Sequence, residues 1–371
     1  MGEKRNALFT ILLLSSIILI LTVSDFIQGD RLFSETENRV LASKPEFTAE
    51  ALFKGNYTQD FETYVTDQFV SRDKWIGIKT YMDMFLQKKE IGGGYLGADG
   101  YLIEQHLPED YPKEQVDKKL ELLEQLVERW DAKVMLVPTA DNILTDKLPA
   151  YALYYDEAHL LEQVKERIGQ ENYVDVYAIL QEHGQEEIYY RTDHHWTSLG
   201  AYYGYLAWAQ EGQSLYYAPE DLEVAADDFL GTLHSKVNLD MPGESILYFP
   251  KTMSDSVKVT YDLQRVTDSC YEKSHLTTKN KYAFFLDDNH AFIEIETDCR
   301  NGKVLYVIKD SYANCFIPML TPYYQKIYVM DLRYFKGRLF GFMEQYQPEE
   351  GMDVLVLYNC VHFLEQFMYM P

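Results

Sequence analysis

The amino-acid sequence predicts an α/β protein in which a parallel sheet is flanked by helices and carries an antiparallel β-rich insertion, behind an N-terminal transmembrane helix. Three features predict this fold. An uninterrupted apolar run lies close to the N-terminus. Short apolar runs then alternate with helical patterns, as is typical of α/β proteins. Between about residues 225 and 303 this alternation gives way to period-two runs separated by turn residues, as in antiparallel strands.

The N-terminal segment predicts a membrane anchor and an exported body. Lys4 and Arg5 precede the apolar run Ala7–Val23. At about 1.5 Å per helical residue the run reaches roughly 25 Å, which is close to the thickness of a bilayer core. Positive charge before such a run favours a cytoplasmic location for residues 1–6. Residues 7–23 then form a single-pass anchor, and the polar residues 24–50 form a tether outside the cytoplasm.

A cleaved signal peptide is the alternative for this segment. Thr22 and Ser24 offer small residues for a cleavage site, although Asp25 follows at once and makes the anchor the preferred interpretation. Both alternatives place the remaining domain, residues 51–371, outside the cytoplasm. The domain is attached to the cell membrane in the first case and secreted in the second.

The first part of this domain combines helices with short strands. Helical periodicity covers residues 51–89, 114–130 and 159–168. The glycines of IGGGYLGADGYL mark turns around short strands. The run AKVMLVP ends in Pro138 and has the length of a buried parallel strand. The run YVDVYAIL is predicted to be a strand or strand-like segment.

The second part contains the insertion and the remaining core strands. The helix LGAYYGYLAWAQ follows Thr197 and Ser198, either of which is well placed as its N-cap. The alternating runs SVKVTYDL and AFIEIETD belong to the predicted insertion. Three further core strands are predicted in the runs KVLYVIKD, KIYVMDLRYF and MDVLVLYN.

Composition excludes several classes of function. The formal net charge of −25 leaves no basic excess for binding nucleic acid, and it disfavours adsorption of the whole protein to anionic membranes. Hydrophobic residues make up 47% of the chain, which indicates a globular rather than a disordered protein. The 31 tyrosines fit a sugar-binding cleft, but ordinary aromatic packing is the favoured explanation. No motif for a cofactor is recognised.

The four cysteines are widely spaced and form no C-x-x-C pair, which argues against a zinc site or a redox motif. Cys315 and Cys360 lie in apolar stretches and are predicted to be buried thiols. A disulfide between Cys270 and Cys299 would require an oxidising compartment and is the less favoured alternative.

The segment RTDHHW contains a candidate acid–base pair. In an extended segment, side chains two residues apart lie on the same side, so Asp193 can orient a histidine ring and leave its other nitrogen free as a base. Residue chemistry alone does not choose between His194 and His195. One alternative is a capped helix start whose histidines are hydrogen-bonded. A less favoured alternative is a metal site made from Asp193, one of these histidines and His183.

The segment VLYVIKDSYANCF contains a candidate nucleophile. An apolar strand delivers Ser311 to a turn that opens a helix, where the amides of Ser311 and Tyr312 are candidates to hold an oxyanion. The position resembles a nucleophile elbow, although Lys309 and Ala313 replace its glycines. A serine that simply caps a helix is the alternative. Taken with the acid–base pair, Ser311 completes the minimum set of groups for acyl transfer through a covalent intermediate.

At these residues the sequence resembles the DHHW protein family and, more distantly, the alginate O-acetyltransferases AlgJ and AlgX, which have an SGNH-hydrolase-like catalytic domain. The resemblance extends from about Phe33 onward over a set of segments in a fixed order. These segments are SETENR, FETYVTDQFVSRDKWI, VPTADNILTDKLP, RTDHHWTSLGAYYGY, GTLHSK and VIKDSYANCF. The resemblance therefore implies an SGNH-hydrolase-like fold for the catalytic domain.

The resemblance also implies roles for individual residues. The D-x-H-W pattern of the alginate enzymes places Asp193 as the orienting acid and His195 as the general base. The short turn that carries their serine aligns with Lys309-Asp310-Ser311, so Ser311 is the nucleophile. Lys309 stands where glycine is common.

Further polar residues are weaker candidates. Asn142 and Asn359 lie at predicted carboxyl ends of strands and could hold the oxyanion or substrate, although turn-forming roles are favoured. Arg333 could bind an anionic sugar group, but a structural ion pair is favoured. The run Asp67–Asp73 is interpreted as a packing landmark.

The resemblance implies a serine-dependent O-acetyltransferase that modifies an exported or cell-surface polysaccharide. Because acetyl-CoA is cytoplasmic, it also implies a membrane-bound O-acyltransferase-type partner that supplies the acetyl group. Two alternatives stay open at this stage. One is an acetyl esterase with the same triad, and the other is a non-catalytic polysaccharide-binding protein.

Overall fold

The computed structural model describes residues 2–34, 39–209, 213–250, 256–345 and 352–368. Parts of four predicted segments lie outside the described residues. They are Met1 of the cytoplasmic tail, residues 35–38 of SETENR, Gln210 of LGAYYGYLAWAQ and residues 251–255 of the insertion.

Two compact units make up the chain, Met1–Lys88 with Ser235–Asp240 and Lys89–His234 with Met241–Pro371. The α-helices of the described residues are α1 (Gly2–Gln28), α2 (Ala49–Phe53), α3 (Asn56–Gln68), α4 (Arg72–Phe85), α5 (Lys113–Trp130), α6 (Ala140–Ile143), α7 (Glu157–Ile168), α8 (Tyr177–Glu182), α9 (Ser198–Trp208), α10 (Thr232–Val237), α11 (Leu339–Gln345) and α12 (Cys360–Gln366). The strands are β1 (Phe33–Ser34), β2 (Arg39–Val40), β3 (Glu90–Ile91), β4 (Gly94–Leu96), β5 (Leu102–Glu104), β6 (Lys133–Val137), β7 (Glu223–Phe229), β8 (Glu244–Tyr248), β9 (Val257–Tyr261), β10 (Arg265–Thr267), β11 (Phe292–Thr297), β12 (Val304–Lys309), β13 (Lys326–Asp331) and β14 (Met352–Asn359).

Helix α1 is long and apolar enough to span a membrane. The candidate span Lys4–Gln28 has 25 residues and a mean hydropathy of 2.5 over its most apolar window. At about 1.5 Å per residue it is roughly 37 Å long, which exceeds a bilayer core of about 30 Å. None of this window is buried against the protein, as expected for a helix whose side chains face lipid.

The helical pattern over residues 51–89 is divided into α2, α3 and α4. Gly55 has φ 83° and Ser71 has φ 54°, so each lies in the left-handed region. A right-handed helix cannot continue through such a residue, and each one starts a new helix with a different direction. Asp67, in the predicted packing landmark, is buried and receives two hydrogen bonds from the Arg39 guanidinium, at 2.6 and 2.9 Å.

The central sheet of the second unit is mixed. Its strand order is β10-β9-β11-β13-β12-β14-β6. Strands β13, β12, β14 and β6 pair in parallel, as predicted. Strand β11 pairs antiparallel with both β13 and β9, and β9 pairs antiparallel with β10. Strands β9, β10 and β11 of the predicted insertion thus extend the main sheet, so the sheet is not parallel throughout, whereas β7 and β8 form a separate two-stranded antiparallel sheet.

Both faces of the parallel strands are buried, which explains why their sequences are almost continuously apolar. Alternate residues of β12 face opposite sides: Leu305 and Val307 belong to one core cluster, and Tyr306 and Ile308 belong to the other. Helices α5, α7 and α12 supply side chains to the cluster that contains Ile308. Helices α8 and α9 supply side chains to the cluster on the opposite face.

The run YVDVYAIL is mostly not a strand. Tyr173 forms one isolated parallel bridge with Val134, and the run then becomes helix α8. Val176 and Leu180 are both fully buried, and their spacing of four residues suits one face of a helix. A short apolar run of this length is compatible with a strand or with a buried helix, so its periodicity was insufficient to distinguish the two.

All four cysteines are free thiols, so Cys270 and Cys299 form no disulfide. Cys315 and Cys360 are buried, as their apolar surroundings predict. Burial raises the pKa of Cys315 to about 12, which keeps this thiol protonated at neutral pH.

Candidate active site

The turn after β12 presents Ser311 at the edge of the sheet where the parallel strands end. Asp310 is the N-cap of this turn, and its Oδ1 accepts a hydrogen bond from Tyr312 N at 2.9 Å. The chain then continues through two 3-10 helices, Ser311–Asn314 and Ile317–Leu320, instead of the predicted α-helix. Because Asp310 caps the turn, the capping-serine alternative does not describe Ser311, whose hydroxyl is available for another partner.

Asp310 also joins the ends of two neighbouring strands. Its Oδ2 accepts hydrogen bonds from Asn359 N and from His362 Nδ1, each at 2.9 Å. Burial by itself would raise the pKa of this carboxyl, but the bonds from His362 and from the backbone outweigh it and lower the pKa. An ionised Asp310 thus holds the turn of Ser311 against the carboxyl end of β14.

Trp196 joins the two sequence segments that carry the chemistry. Its ring is fully buried and stacks on Phe316, with ring centroids 6.3 Å apart. Its Nε1 donates a hydrogen bond to Tyr312 O at 2.8 Å. The tryptophan of the DHHW tetrapeptide therefore fixes the loop before α9 against the residue that follows Ser311. Thr197 and Ser198 were both predicted as candidates for the N-cap of α9. The N-cap is Thr197, whose Oγ1 accepts a hydrogen bond from Gly200 N.

Asp193, His195 and Ser311 form one chain of hydrogen bonds. His195 Nδ1 lies 2.5 Å from Asp193 Oδ1, and His195 Nε2 lies 2.8 Å from Ser311 Oγ. The carboxylate assigns the ring proton to Nδ1, so Nε2 is the acceptor for the serine hydroxyl. The His195 ring is stacked on Tyr282, with centroids 3.9 Å apart and an interplanar angle of 13°. This geometry distinguishes His195 from His194, which residue chemistry alone did not.

Asp193 is held by two residues that we did not single out from the sequence. Thr232 donates to Asp193 Oδ2 from its backbone N at 2.8 Å and from Oγ1 at 3.0 Å. A Cβ atom on Gly231 would lie 2.3 Å from both Cβ and Oδ2 of Asp193, so only glycine fits there. Both residues belong to GTLHSK, and the position of this segment among the family landmarks was the available signal.

The electrostatic environment keeps Asp193 ionised. Burial alone would raise the pKa of this carboxyl, but His194, His195 and the Thr232 amide outweigh burial and lower it well below its ordinary value. His194 is turned away from Ser311, and its Nδ1 lies 2.8 Å from Thr232 Oγ1. Burial, together with the neighbouring His195, lowers the pKa of His194 to about 3, so this ring is neutral.

Tyr312, Asn359 and Asn142 are all engaged in hydrogen bonds. The Tyr312 amide donates to Asp310, so an oxyanion would compete with a carboxylate for this hydrogen. Asn359 caps α12 through Oδ1, which accepts from His362 N at 2.6 Å. Asn142 bonds Asp141 and the backbone of α7 rather than facing Ser311. The turn-forming and capping roles therefore account for both asparagine side-chain oxygens.

A cavity of about 240 Å³ adjoins the triad. Asp193, His194 and Tyr312 line one part of it, and Glu104 and His106 line another, whereas Ser311 and His195 do not line it. Tyr312 directly follows Ser311 in the chain, so this cavity is next to the reacting groups. Its wall is rich in hydrogen-bonding side chains, which suits a ligand with several hydroxyl groups.

A second histidine–carboxylate pair lies in this cavity. His106 Nδ1 is 2.9 Å from Asp141 Oδ2, and Asp141 is fully buried. Thr139 Oγ1 lies within hydrogen-bond distance of Asp141 Oδ1 and of Glu157 Oε1, at 2.5 and 2.7 Å. Thr139 and Asp141 belong to VPTADN, but the sequence contains no comparable signal for His106 or Glu157.

His106, Asp141 and Glu157 form a cluster of ionisable side chains, and the two carboxyl groups determine its charge. Burial opposes protonation of His106, but the hydrogen bond and charge of Asp141 prevail and raise its pKa to about 9. Burial and the neighbouring Asp141 raise the pKa of Glu157 to about 8. At neutral pH the cluster therefore contains a cationic His106 and a mostly protonated Glu157 beside the Asp141 carboxylate.

The arrangement of the histidines bears on the metal alternative. Among the described residues, donor atoms of Asp193, His194 and His195 lie within 4.8 Å of one another. However, the Asp193 and His195 atoms that face each other already share a hydrogen bond. His183 is not part of this group: it bonds Glu186 at 2.6 Å and stacks on Tyr203. The site predicted from Asp193 and His183 is therefore not assembled.

Lys309, which replaces a glycine in the expected turn, is fully buried beneath it. Its Nζ donates to Asn289 Oδ1 at 2.9 Å and to Asn314 Oδ1 at 2.8 Å, and Asp331 lies 3.5 Å away. Arg333 forms two hydrogen bonds with the same Asp331 carboxylate. Lys309 thus stabilises the turn of Ser311 through buried contacts with Asn289, Asn314 and Asp331. Arg333 forms the structural ion pair that was favoured from the sequence.

Comparison with known proteins supports the assignment of the fold. A DHHW family protein from Eubacterium siraeum is similar over 74% of this chain and 92% of its own, with 23% identity and a TM-score of 0.60. PatB1 from Bacillus cereus, with a sulfonyl adduct, is similar over 71% of this chain and 94% of its own, with 22% identity and a TM-score of 0.58. The O-acetyltransferase domain of AlgJ from Pseudomonas putida has 16% identity over 73% of this chain and 92% of its own, with a TM-score of 0.41.

At such identities the likenesses to the DHHW family protein and to PatB1 concern the fold alone, and the TM-score of AlgJ is too low for a conclusion about the fold. No curated protein is matched by the chain. The model of the DHHW protein family matches residues 125–330, which include both segments of the candidate site. This match covers more than half of the sequence. The chain therefore belongs to the DHHW protein family.

Proposed function

We propose that this protein is a serine-dependent O-acetyltransferase that modifies an exported or cell-surface polysaccharide through an acyl-serine intermediate. The observation that carries the proposal is the hydrogen-bonded chain from Asp193 through His195 to Ser311, with distances of 2.5 and 2.8 Å. A carboxylate, an imidazole and a hydroxyl in this order form the arrangement that activates serine for acyl transfer. In this proposal the second unit is the SGNH-hydrolase-like catalytic domain.

The first half-reaction loads the enzyme with an acetyl group. Ser311 Oγ attacks the carbonyl carbon of the acetyl donor, and its proton moves to His195 Nε2. Asp193 stabilises the imidazolium that forms. The bond between the carbonyl carbon and the leaving atom of the donor then breaks, and His195 returns the proton to that atom, which leaves acetyl-Ser311 and the deacetylated donor.

The second half-reaction transfers the acetyl group to the acceptor. His195 Nε2 takes the proton of a sugar hydroxyl, and the hydroxyl oxygen attacks the ester carbon of acetyl-Ser311. Collapse of the tetrahedral intermediate releases the acetylated sugar and returns the proton to Ser311 Oγ. The cavity beside Asp193 and Tyr312 is the proposed acceptor site, because its carboxylates accept hydrogen bonds from hydroxyl groups and the cationic His106 donates them.

An oxyanion develops in both half-reactions and needs hydrogen-bond donors. The Ser311 backbone amide is the first candidate, because it opens the turn. Asn359 lines the cavity, and since its Oδ1 caps α12, its Nδ2 group is the second candidate. The Tyr312 amide can serve only if Asp310 releases it.

The acetyl donor must be supplied outside the cytoplasm in this proposal. The apolar helix α1 anchors the protein in the membrane with its catalytic domain on the extracytoplasmic side. A membrane-bound O-acyltransferase-type partner then transfers acetyl groups from cytoplasmic acetyl-CoA to Ser311. This partnership rests on the sequence resemblance, and a serine enzyme of this kind needs no metal or organic cofactor.

The proposal is tested with the full chain, an acetylated chromogenic ester and an acetyl-accepting oligosaccharide. The Ser311→Ala variant should lose ester cleavage by at least about four orders of magnitude, because no nucleophile remains. Ser274→Ala, which removes an exposed hydroxyl, is the matched control and should retain full activity. Because PatB1 is known with a sulfonyl adduct, a sulfonyl fluoride should label the native protein and not Ser311→Ala.

The products of the same assay distinguish the alternatives. Acetylated oligosaccharide identified by mass spectrometry would support transfer, whereas free acetate formed at the same rate with and without acceptor would show an esterase. Absence of both ester cleavage and sulfonyl labelling in the native protein would contradict serine chemistry and favour a polysaccharide-binding protein.

A further inference from the structure

Helix α4 in the first unit buries one glycine and two polar residues and exposes most of its apolar residues. Gly77, Thr80 and Asp83 are buried. Thr80 Oγ1 donates to Val237 O at 2.7 Å, and a Cβ atom on Gly77 would lie 3.1 Å from Asn238 O. This face of α4 therefore packs closely against the backbone of Val237 and Asn238. The small side chains on this face allow the close contact and so fix the orientation of the helix. In an ordinary surface helix the apolar face is buried and the polar face is exposed to solvent, which is the reverse of the arrangement in α4.

The exposed face of α4 is a continuous apolar stripe. Trp75, Ile78, Met82 and Phe85 follow at spacings of three and four residues, which places them on one side of the helix. Their exposed fractions are 44%, 51%, 54% and 79%. Two further apolar residues with more than 40% exposure, Tyr81 and Leu86, flank the stripe. Met84 is also partly exposed but lies on the side of Gly77 and Thr80. Large exposed patches of this kind mark interaction surfaces.

The charge around the stripe is positive although the protein is strongly acidic. Residues 72–89 contain five basic and two acidic side chains, whereas the whole chain has a net charge of −25. Lys74 and Lys79 are exposed on α4, and Lys88 and Lys89 follow its last turn. Lys79 and Lys88 share the Asp83 carboxylate, at 2.9 and 2.7 Å, so this group of two lysines and one aspartate keeps a positive charge. A basic stretch beside an apolar stripe is complementary to an anionic surface that has an apolar layer beneath it.

The start of α4 is held at the end of the candidate membrane span. Asp25, in the last turn of α1, accepts a hydrogen bond from Val70 N at 3.0 Å. Arg31 and Gln68 exchange two hydrogen bonds between backbone and side chain, at 2.8 and 2.9 Å. The segment that joins α3 to α4 is thus attached to residues directly at and beyond the end of α1, where a membrane surface would lie.

We propose that α4 lies on an anionic phospholipid surface, with its apolar stripe at the boundary between headgroups and acyl chains. Trp75 would occupy the interface, as indole rings prefer, and the lysines would face the phosphates. A second copy of the chain is a poorer occupant, because two such helices would bring their positive charges together. The proposal goes beyond the enzymatic one, since it assigns the first unit a membrane-surface role that requires no activity of Ser311.

The test uses the full chain in vesicles and two tryptophan reporters on α4. Native Trp75 is the first reporter, with Trp75→Phe giving the background of the other tryptophans. The double variant Trp75→Phe, Phe85→Trp moves the reporter by ten residues, or about 15 Å along the helix. Quenching is measured in phosphatidylcholine–phosphatidylglycerol vesicles whose acyl chains are brominated close to the headgroups, with unbrominated vesicles as the control.

Both reporters should be quenched by at least about half if the helix lies flat in the interface. Replacing phosphatidylglycerol with phosphatidylcholine should weaken the quenching at position 85. Quenching at position 75 alone would overturn the proposal, since α4 would then leave the membrane. Loss of quenching at both positions with a concentration-dependent dimer would instead assign the stripe to a second copy. Met82→Trp provides another reporter should the Phe85→Trp variant fold poorly, and none of these readouts depends on catalysis.

Discussion

The two oxygens of Asp193 have different tasks. Oδ1 accepts from both the backbone N and Nδ1 of His195, at 3.0 and 2.5 Å. Oδ2 accepts from Thr232, which aligns the carboxylate. A carboxylate is required because both of its oxygens act only as acceptors. The orientation of His195 therefore depends on the charge and on the two acceptor oxygens of a single side chain.

Replacing Asp193 with asparagine should lower ester cleavage by about 10⁴-fold while the fold persists. The amide group must direct NH2 towards either Thr232 or His195, so His195 loses the partner that keeps the proton on Nδ1. The measurement is kcat with the chromogenic ester, together with the thermal unfolding midpoint. Asp227→Asn, at an exposed position, is the matched control. Activity within tenfold of native in Asp193→Asn would contradict the assigned role.

Among the elements, short turns rather than the long helices shape the site. The turn before α10 supports Asp193 through Gly231 and Thr232. The turn after β12 presents Ser311, and Trp196 fastens both segments together. Apolar runs predicted β6, β12, β13 and β14, because each of these strands is buried on both faces. The loops around them carry polar residues whose partners are distant in sequence, so no local pattern identified Gly231 or His106 as part of the site.

Gly231→Ala should reduce kcat by at least about 100-fold, although it leaves the triad residues unchanged. The new methyl group would lie 2.3 Å from Asp193 Cβ, so the carboxylate must move away from His195. A displacement of this order, about 1 Å, is enough for such a loss. Gly341→Ala on α11, where the added Cβ would meet only Arg338 Cβ at 3.7 Å, is the matched control. Retention of native kcat in Gly231→Ala would show that Asp193 tolerates a different position.

For the whole molecule, the cluster of His106, Asp141 and Glu157 connects stability to pH. The pKa of His106 is raised from 6.5 to about 9, and that of Glu157 from 4.5 to about 8. A group whose pKa is raised by folding binds more protons in the folded than in the unfolded state. Its stabilising contribution is complete below the unfolded pKa and is lost as the pH rises through the folded pKa.

The free energy of unfolding should therefore fall as the pH rises from about 6.5 to about 9. Urea unfolding at several pH values measures this slope, and His106→Gln should make it shallower because one of the two protons is no longer taken up. His159→Gln changes an exposed histidine on α7 and serves as the control. A stability that stays constant or increases over this pH range, or a slope unaffected by His106→Gln, would show that the cluster is not coupled to folding.

Local patterns in the sequence were sufficient to predict the apolar N-terminal helix, the buried parallel strands and an N-cap of α9 at Thr197 or Ser198. Each of these depends on residues that are neighbours along the chain, so hydrophobic periodicity and capping chemistry report them directly. Family landmarks added the residues of the triad, and the choice of His195 over His194 came from that resemblance.

The remaining features of the fold and of the candidate site are determined by packing between segments that are distant in the sequence. His195 and Ser311 are separated by 116 residues, and Thr80 bonds a carbonyl 157 residues away. The extension of the sheet by β9, β10 and β11, the support of Asp193 by Gly231 and the outward apolar face of α4 all arise from such contacts. A chain's local pattern specifies which residues are apolar or polar, but which partner each one meets depends on how the elements pack in three dimensions.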